Sequence, residues 1–500
     1  MQQDSSLKKR TLRGLFWSVT DLFANNGIQI VIQIVLARLL LPEHFGVIGM
    51  IVVLIAISNS LIDCGFSQAL IRDHNTSQKD YSTVFHFNFF ISILIYFILF
   101  ISAPSISIFF KTPQLLEVIR VISITLIISS LAIIQRVKLT KALNFKTLTK
   151  INIIAFFTAG SISISMAFLG FGVWSIVINM MVVQTMQTLL LWYINRWIPS
   201  LTFNIRSFNK FFKFGSKLLL SGIIDSIYTN LFFLIIGKFY TASQLGYYTN
   251  AVKVRDMASQ SIVVTIERVT YPVLSSAQDE RERLKAIFSK MIKISSFVNF
   301  PLMVGVAVIA TPLFQLLFGE KWLPSVLYFQ LLCIAGMLYP IHVLNLNILQ
   351  VKGRSDLFLL LEILKKVMIT ILISLALYLN LGILGLIWTA IIDSFISLFI
   401  NTYFSARLID YSTKNQFKDL APMFFISILM GALVFLAGYI LPNLPFIKLI
   451  CQIFIGIIVY IIFSKIFRVK QLSEVYQLIH PFILSSKKWT IDKISFKGNV

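Results

Sequence analysis

Ala37-Arg38-Leu39-Leu40-Leu41-Pro42-Glu43-His44-Phe45-Gly46 closes one apolar run, turns, and opens another. Two hundred positions later the chain does the same thing in Gly237-Lys238-Phe239-Tyr240-Thr241-Ala242-Ser243-Gln244-Leu245-Gly246: a cation at the end of a run, a short turn, and a glycine opening the next. Self-similarity at a long period marks a repeated architecture. The order holds outward from there. Ala103-Pro104 falls on Thr311-Pro312, Phe109-Phe110 on Leu317-Phe318, and Gly172-Val173-Trp174 returns loosely as Gly385-Leu386-Ile387-Trp388.

The runs on either side of these turns are long enough to decide what solvent the chain meets. Of 500 residues 57% are hydrophobic and only 13% charged, more apolar surface than a water-soluble core can hide. A spanning helix needs about 20 mostly apolar residues. Runs of that kind lie near 14–37, 46–70, 83–106, 115–135, 150–169, 172–194, 216–237, 245–270, 294–318, 325–348, 360–380, 382–405, 420–440 and 446–467. The expectation is an all-α integral membrane protein of about fourteen transmembrane helices. Two parallel six-helix repeats would surround a central cavity, with two extra helices at the C-terminus. The corresponding segments are a cytoplasmic N-terminus at 1–13, an N-lobe at 14–194, a linker at 195–215, a C-lobe at 216–405, the added pair at 420–467 and a basic tail at 468–500.

A net charge of +23 raises the question of a nucleic-acid partner, and the placement of the cations answers it. Thirty-five of the 44 Lys and Arg fall in alternate segments, including 136–150, 195–217, 276–293 and 352–366. The opposite side holds only Arg38, Lys111, Arg120, Lys238, Lys321 and Lys448. By the positive-inside rule both termini are cytoplasmic, and the charge is a topology signal with some attraction to anionic lipid. No nucleic acid is needed. The outer loops are short, which argues against a catalytic ectodomain.

Cys64, Cys333 and Cys451 lie far apart, and the five histidines are equally scattered, so no metal ligand set is expected. The chain has no P-loop, Gly-x-Ser-x-Gly, His-Glu-x-x-His or dinucleotide fingerprint. No catalytic residue and no cofactor are assigned, and the chain reads as a transporter rather than an enzyme.

Polar residues at membrane depth are costly and mark bundle interiors or wet cavities. Asp21, Asn25, Gln29 and Gln33 recur every four residues and form one stripe on the first helix. The eighth run carries Asn250, Lys253, Arg255, Asp256, Gln260, Glu267 and Arg268. Lys253 to Asp256 lie roughly 12 to 17 Å from its outer end, close to the midplane. Two cations and one anion there leave an excess positive charge suited to a diphosphate or an acidic sugar, with Asp256 as counter-ion or proton site. Asp63, Asp225, Glu267, Arg268 and Asp393 are the candidates for a gate or for coupling.

Leu61-Ile62-Asp63-Cys64-Gly65-Phe66-Ser67-Gln68-Ala69-Leu70-Ile71, Leu245-Gly246-Tyr247-Tyr248-Thr249-Asn250-Ala251, Tyr271-Pro272-Val273-Leu274-Ser275, Leu317-Phe318-Gly319-Glu320-Lys321-Trp322 and Lys352-Gly353-Arg354-Ser355-Asp356 carry a further signal. Through them the chain resembles the polysaccharide transporter branch of the multidrug/oligosaccharidyl-lipid/polysaccharide (MOP) exporter superfamily, close to Wzx-type flippases and to lipopolysaccharide and teichuronic acid exporters. The resemblance implies a two-lobed flippase in the bacterial inner membrane. It would carry an undecaprenyl-diphosphate-linked oligosaccharide from the inner to the outer leaflet for surface polysaccharide such as O-antigen, capsule or exopolysaccharide. Coupling to H⁺ or Na⁺, and contact with a polysaccharide polymerase or export machinery, follow as expectations. A peptidoglycan lipid-precursor flippase and a cation-coupled drug exporter share the superfamily and stay open. A membrane polysaccharide polymerase would need a long outer loop that this chain lacks.

Overall fold

The computed structural model describes residues 25–73, 75–442 and 444–477, with only the backbone over 260–269. Asp21, the N-terminal segment 1–13, the tail from 478 and the side chains of Gln260, Glu267 and Arg268 therefore lie outside the described residues. What is described is helical, with no strand among the described residues. Among the described residues ten helices are long and apolar enough to cross a membrane, or eleven if one bent pair counts as a single span.

Two compact units divide the chain. Unit 1 takes Met1–Asn250 together with the distant segment Leu317–Trp322. Its helices are α1 (25–39), α2 (Pro42–Asp63), α3 (Phe66–Arg72), α4 (Gln78–Phe109), α5 (Leu115–Ile122), α6 (Ile124–Lys141), α7 (Phe145–Phe168), α8 (Val173–Asn195), α9 (Ile205–Thr229), α10 (Leu231–Phe239) and the first turns of α11 (Ala242–Ser275). α9 and α10 are the bent pair, meeting at 46°.

The two stretches that repeat in sequence have the same local shape. A helix stops at Leu40 and at Tyr240, and the next begins at Pro42 and at Ala242. α2 and α11 then cross so closely that a Cβ on Gly46 would lie 1.8 Å from the Ala242 carbonyl oxygen, and one on Gly246 1.8 Å from the Pro42 oxygen. Only glycine admits two helix backbones at that range, the device that lets helices associate in lipid.

Hydropathy places helix ends poorly, and four expectations are corrected here. The run 46–70 is broken, because Cys64 and Gly65 adopt left-handed backbone, φ 48° and 70°. The break is fixed by packing: a Cβ on Gly215 of α9 would lie 2.3 Å from the Cys64 carbonyl oxygen. The run 115–135 is interrupted at Ser123, between α5 and α6, and then continues as helix to Lys141, two residues before the left-handed residue Leu143. Arg136 thus sits on a helix and not in a loop. The ninth run starts at Arg281, well before 294, and breaks after Val308. α15 (Ser355–Tyr378) takes up Lys365 and Lys366, which had also been counted as loop cations.

The segment Leu317–Trp322 clasps the C-terminal end of α1. Lys321 Nζ donates to the carbonyls of Arg38 and Leu40 at 2.8 and 2.7 Å, and Trp322 Nε1 to that of Ala37 at 2.8 Å. Arg38 Nε returns a bond to the Leu317 carbonyl at 2.8 Å. A helix end leaves its last carbonyls without intrahelical partners, and this clasp supplies donors.

Unit 2 comprises the rest of α11, α12 (Arg281–Val308), α13 (Ala310–Leu317, save its last residue), α14 (Pro324–Val351), α15, α16 (Gly382–Ile409), α17 (Thr413–Ile440) and α18 (Pro445–Ile466). α14 packs between α12 and α16, and α17 joins α12 to α18. Phe425, Leu436, Phe454 and Ile458 leave the outer faces of α17 and α18 apolar and uncovered, as lipid-facing helices require.

Candidate functional site

The break after Asp63 builds one wall of a polar chamber in unit 1. With α2 stopped, the Asp63 carboxylate accepts from the Ser67 backbone N–H at 3.2 Å and from its hydroxyl, capping α3. Along the same face Ile55, Asn59, Asp63, Ser67 and Ile71 recur every four residues, and all of them line a cavity of about 500 Å³. The opposite wall is α6, which contributes Thr125, Ser129, Arg136 and Thr140, again one stripe at helical spacing. α8 closes the chamber with Met180 and Gln184. From Thr125 to Thr140 it follows the helices for roughly 22 Å.

Arg136 is its cation. Nη2 donates to Gln187 Oε1 at 3.0 Å, and Gln187 Nε2 donates onward to Asn152 Oδ1 at 3.0 Å. The relay ties the guanidinium to α8 and α7 while leaving it solvent-accessible. A rigid planar donor on the wall of a cavity within an apolar helical unit is suited to a phosphate or a carboxylate. Sequence reading missed Arg136 because the apolar run ends just before it. The four-three-four-four spacing of Thr125, Ser129, Ala132, Arg136 and Thr140 was the signal that could have found it.

Three residues of the expected stripe, Asn25, Gln29 and Gln33, lie on the described part of α1. Asn25 is buried, Gln29 is exposed, and Gln33 Nε2 donates to Asn250 Oδ1 at 3.2 Å, so these amides belong to unit 1. In unit 2 Lys253, Arg255 and Asp256 lie within one turn of α11. Arg255 Nε and Nη2 both donate to Asp256 Oδ1, at 2.9 and 2.5 Å, and the arginine stem lies against Gly336 of α14. Lys253 stands two residues away, about 200° around the helix, and is exposed. Asp256 thus stands as the counter-ion of Arg255, while Lys253 points elsewhere on the helix. Asp225 is exposed on α9, and Asp393 is half-buried on α16.

Residues 35–327 match the sequence profile of the polysaccharide biosynthesis protein family. The chain belongs to this family. The teichuronic acid biosynthesis protein TuaB of Bacillus subtilis (strain 168) is 27% identical over 434 residues, 86% of this chain and 89% of that protein. The lipopolysaccharide biosynthesis protein WzxC of Escherichia coli (strain K12) is 27% identical over 353 residues, 70% of this chain and 72% of its own. Among solved structures, lipid II flippase MurJ in an inward closed conformation superposes with a TM-score of 0.76 at 17% identity, covering 92% of this chain and 100% of that one. An inward-facing multidrug resistance MATE family transporter of the MOP superfamily follows at 0.59 and 16% identity, covering 78% and 96%. The chain therefore has the helical fold of that superfamily, as its motifs indicated.

Proposed function

We propose that the protein flips an anionic lipid-linked oligosaccharide, an undecaprenyl-diphosphate glycan, from the inner to the outer leaflet of a bacterial cytoplasmic membrane for surface polysaccharide synthesis. The observation that carries this reading is the polar chamber of unit 1. A fixed, accessible arginine inside an apolar helical bundle is expensive unless an anion uses it. Family membership supplies the glycan, and Lys253 on α11 of unit 2 stays a candidate cavity residue from the sequence. In this reading all fourteen apolar runs cross the membrane, both termini are cytoplasmic, and two similarly oriented lobes at 14–194 and 216–405 give alternating access.

The reading is tested by deleting the gene and analysing surface glycan together with undecaprenyl-diphosphate-linked intermediates. Loss of one polysaccharide, with its finished lipid-linked unit held on the cytoplasmic side, supports it and identifies the glycan. Accumulation of peptidoglycan precursor instead assigns the chain to the lipid-precursor class. A unit that reaches the outer leaflet and stays unpolymerised sinks the flippase reading.

A further inference from the structure

The Arg136 guanidinium points away from the nearer end of its own helix. Trp192 Nε1 on α8 donates to the Leu131 carbonyl of α6 at 2.9 Å, and Asn195 Nδ2 to that of Gln135 at 2.8 Å, which fixes the register of the two helices. Gln187 lies five residues before Trp192, so the guanidinium that reaches it extends back along α6 toward Ser129 and Thr125. A long cationic side chain near a helix end ordinarily turns its charge outward to water. The other cations at that end behave differently. Lys138 lies over the rings of Tyr81 and Trp197, 5.7 and 5.4 Å from their centroids, and Lys141 donates to the Leu70 carbonyl at 3.3 Å and to Thr76 Oγ1 at 2.6 Å. Arg72 lies over the Phe214 ring, and Lys210 is paired with Asp73.

Among the described residues lining the chamber, Arg136 and Asp63 are therefore the charged ones, one of each sign. The rest of the polar wall is uncharged. Two of its members are amides that face each other from different helices, Asn59 on α2 and Gln184 on α8. Asn59 stands one turn from Asp63, and Gln184 about one turn from Gln187. Asn59 is exposed, Gln184 is half-buried, and neither side chain has a hydrogen-bond partner among the described residues. Gln33 and Gln187 in the same unit do have such partners, Asn250, Arg136 and Asn152. Amides within an apolar bundle normally bond across helices, and leaving them unbonded is costly. Each offers a carbonyl acceptor and two N–H donors, the complement of a sugar hydroxyl, which both donates and accepts. A cavity of about 500 Å³ has room for a diphosphate and the sugar joined to it.

We propose that Asn59 and Gln184 are specificity residues, reading an uncharged sugar attached directly to the diphosphate that Arg136 holds. The lipid carried is then one whose first sugar is neutral and not a uronic acid. With the guanidinium taken by phosphate, a sugar carboxylate in this chamber would meet the Asp63 carboxylate and no second cation. This assignment rests on the flippase reading and narrows its substrate.

The test uses the purified full-length protein in lipid nanodiscs, titrated with undecaprenyl diphosphate, with the same lipid bearing one neutral hexose, and with the same lipid bearing one hexuronic acid; native mass spectrometry reads the bound fraction. The neutral glycolipid is expected to bind about tenfold tighter than the hexuronic one. Asn59→Ala and Gln184→Ala should each lower the preference for the neutral glycolipid over the sugar-free lipid by about three- to tenfold. Gln184→Lys, which adds the missing cation, should turn the preference toward the hexuronic acid. Each readout is a ratio of affinities within one variant, so a general loss of folded protein does not move it. Equal binding of the neutral and hexuronic lipids, or unaltered ratios in both alanine variants, overturns the assignment; the flippase reading then survives if the sugar-free lipid still binds and Arg136→Ala weakens it. Binding of none of these lipids by the unsubstituted protein sinks the flippase reading and the assignment with it.

Discussion

Arg136 on α6 donates to Gln187 on α8 at 3.0 Å, so the one cation among the described residues lining the unit 1 chamber is held by a residue 51 positions away. Removing a charged donor of this kind costs about 1.5–3 kcal/mol, roughly ten- to a hundredfold in an equilibrium constant. Arg136→Ala is expected to lower glycan export by at least tenfold, and Arg136→Lys, which keeps charge but loses the fork, by less. Surface polysaccharide in the complemented deletion strain, normalised to protein in the membrane, is the readout. Full export by Arg136→Ala would remove the chamber from the mechanism.

The crossing of α2 and α11 leaves no room for a methyl group at Gly46 or Gly246, and what stands in the way is backbone. Alanine at either position should cost about 1–3 kcal/mol and lower the unfolding temperature in detergent. The double substitution should cost less than the sum, because the first already parts the helices. Additive losses would mean that the two glycines are not one contact.

At the break between α2 and α3, Gly65→Ala places a Cβ 2.9 Å from the Gly215 carbonyl oxygen in left-handed backbone. The left-handed conformation alone costs roughly 1–2 kcal/mol. Asp63→Ala removes the acceptor of the Ser67 N–H in the first turn of α3, a hydrogen bond worth about 1 kcal/mol. Hydrogen exchange of the α3 amides should rise in both variants, more in Gly65→Ala. Unchanged protection would show that α3 is held by its core residues Phe66 and Leu70 alone.

Asp73, just after α3, accepts from Lys210 of α9, and this bond, aided by the Asn75 N–H, holds its carboxyl below the ordinary aspartate range. Because the folded value is the lower one, the contribution is present above the unfolded value near pH ~4 and is lost as pH falls through the folded value. Acidification should therefore loosen the α3 end, salt should do so mildly, and Asp73→Asn should abolish the acid step. Hydrogen exchange between pH 3 and 6 would reveal it, and an unaltered acid step in Asp73→Asn would exclude this pair as its source.

How much of this could be read in the sequence depends on what each residue answers to. Apolar length answers to lipid, so helix positions were legible, and so was the paired turn at Leu40 and Tyr240. Helix ends answer to backbone sterics and neighbouring elements. Thus Gly215 against Cys64 breaks α2, and α6 carries Arg136 past the end of its apolar run. Counting cations by segment put Arg136 and Lys365 in loops, although each sits on a helix with a side-chain partner, Gln187 or Glu362. Asp63 was legible as part of a motif, whereas its bond to Ser67 required the broken helix. Lys253 and Arg255 were near in sequence and apart in space, because two residues of helix turn them away from each other.

The clasp on α1 sets a timetable for making the protein. Trp322 bonds Ala37 across 285 residues, and unit 1 is missing its last piece until that tryptophan has left the ribosome. At 5–20 residues per second the 72 positions between Asn250 and Trp322 take roughly 4–14 s. For that interval the carbonyls ending α1 have neither the indole nor the Lys321 ammonium. An N-terminal fragment stopping at Asn250 is thus an assembly intermediate and not a finished half, and insertion factors or lipid headgroups must shelter that helix end during translation.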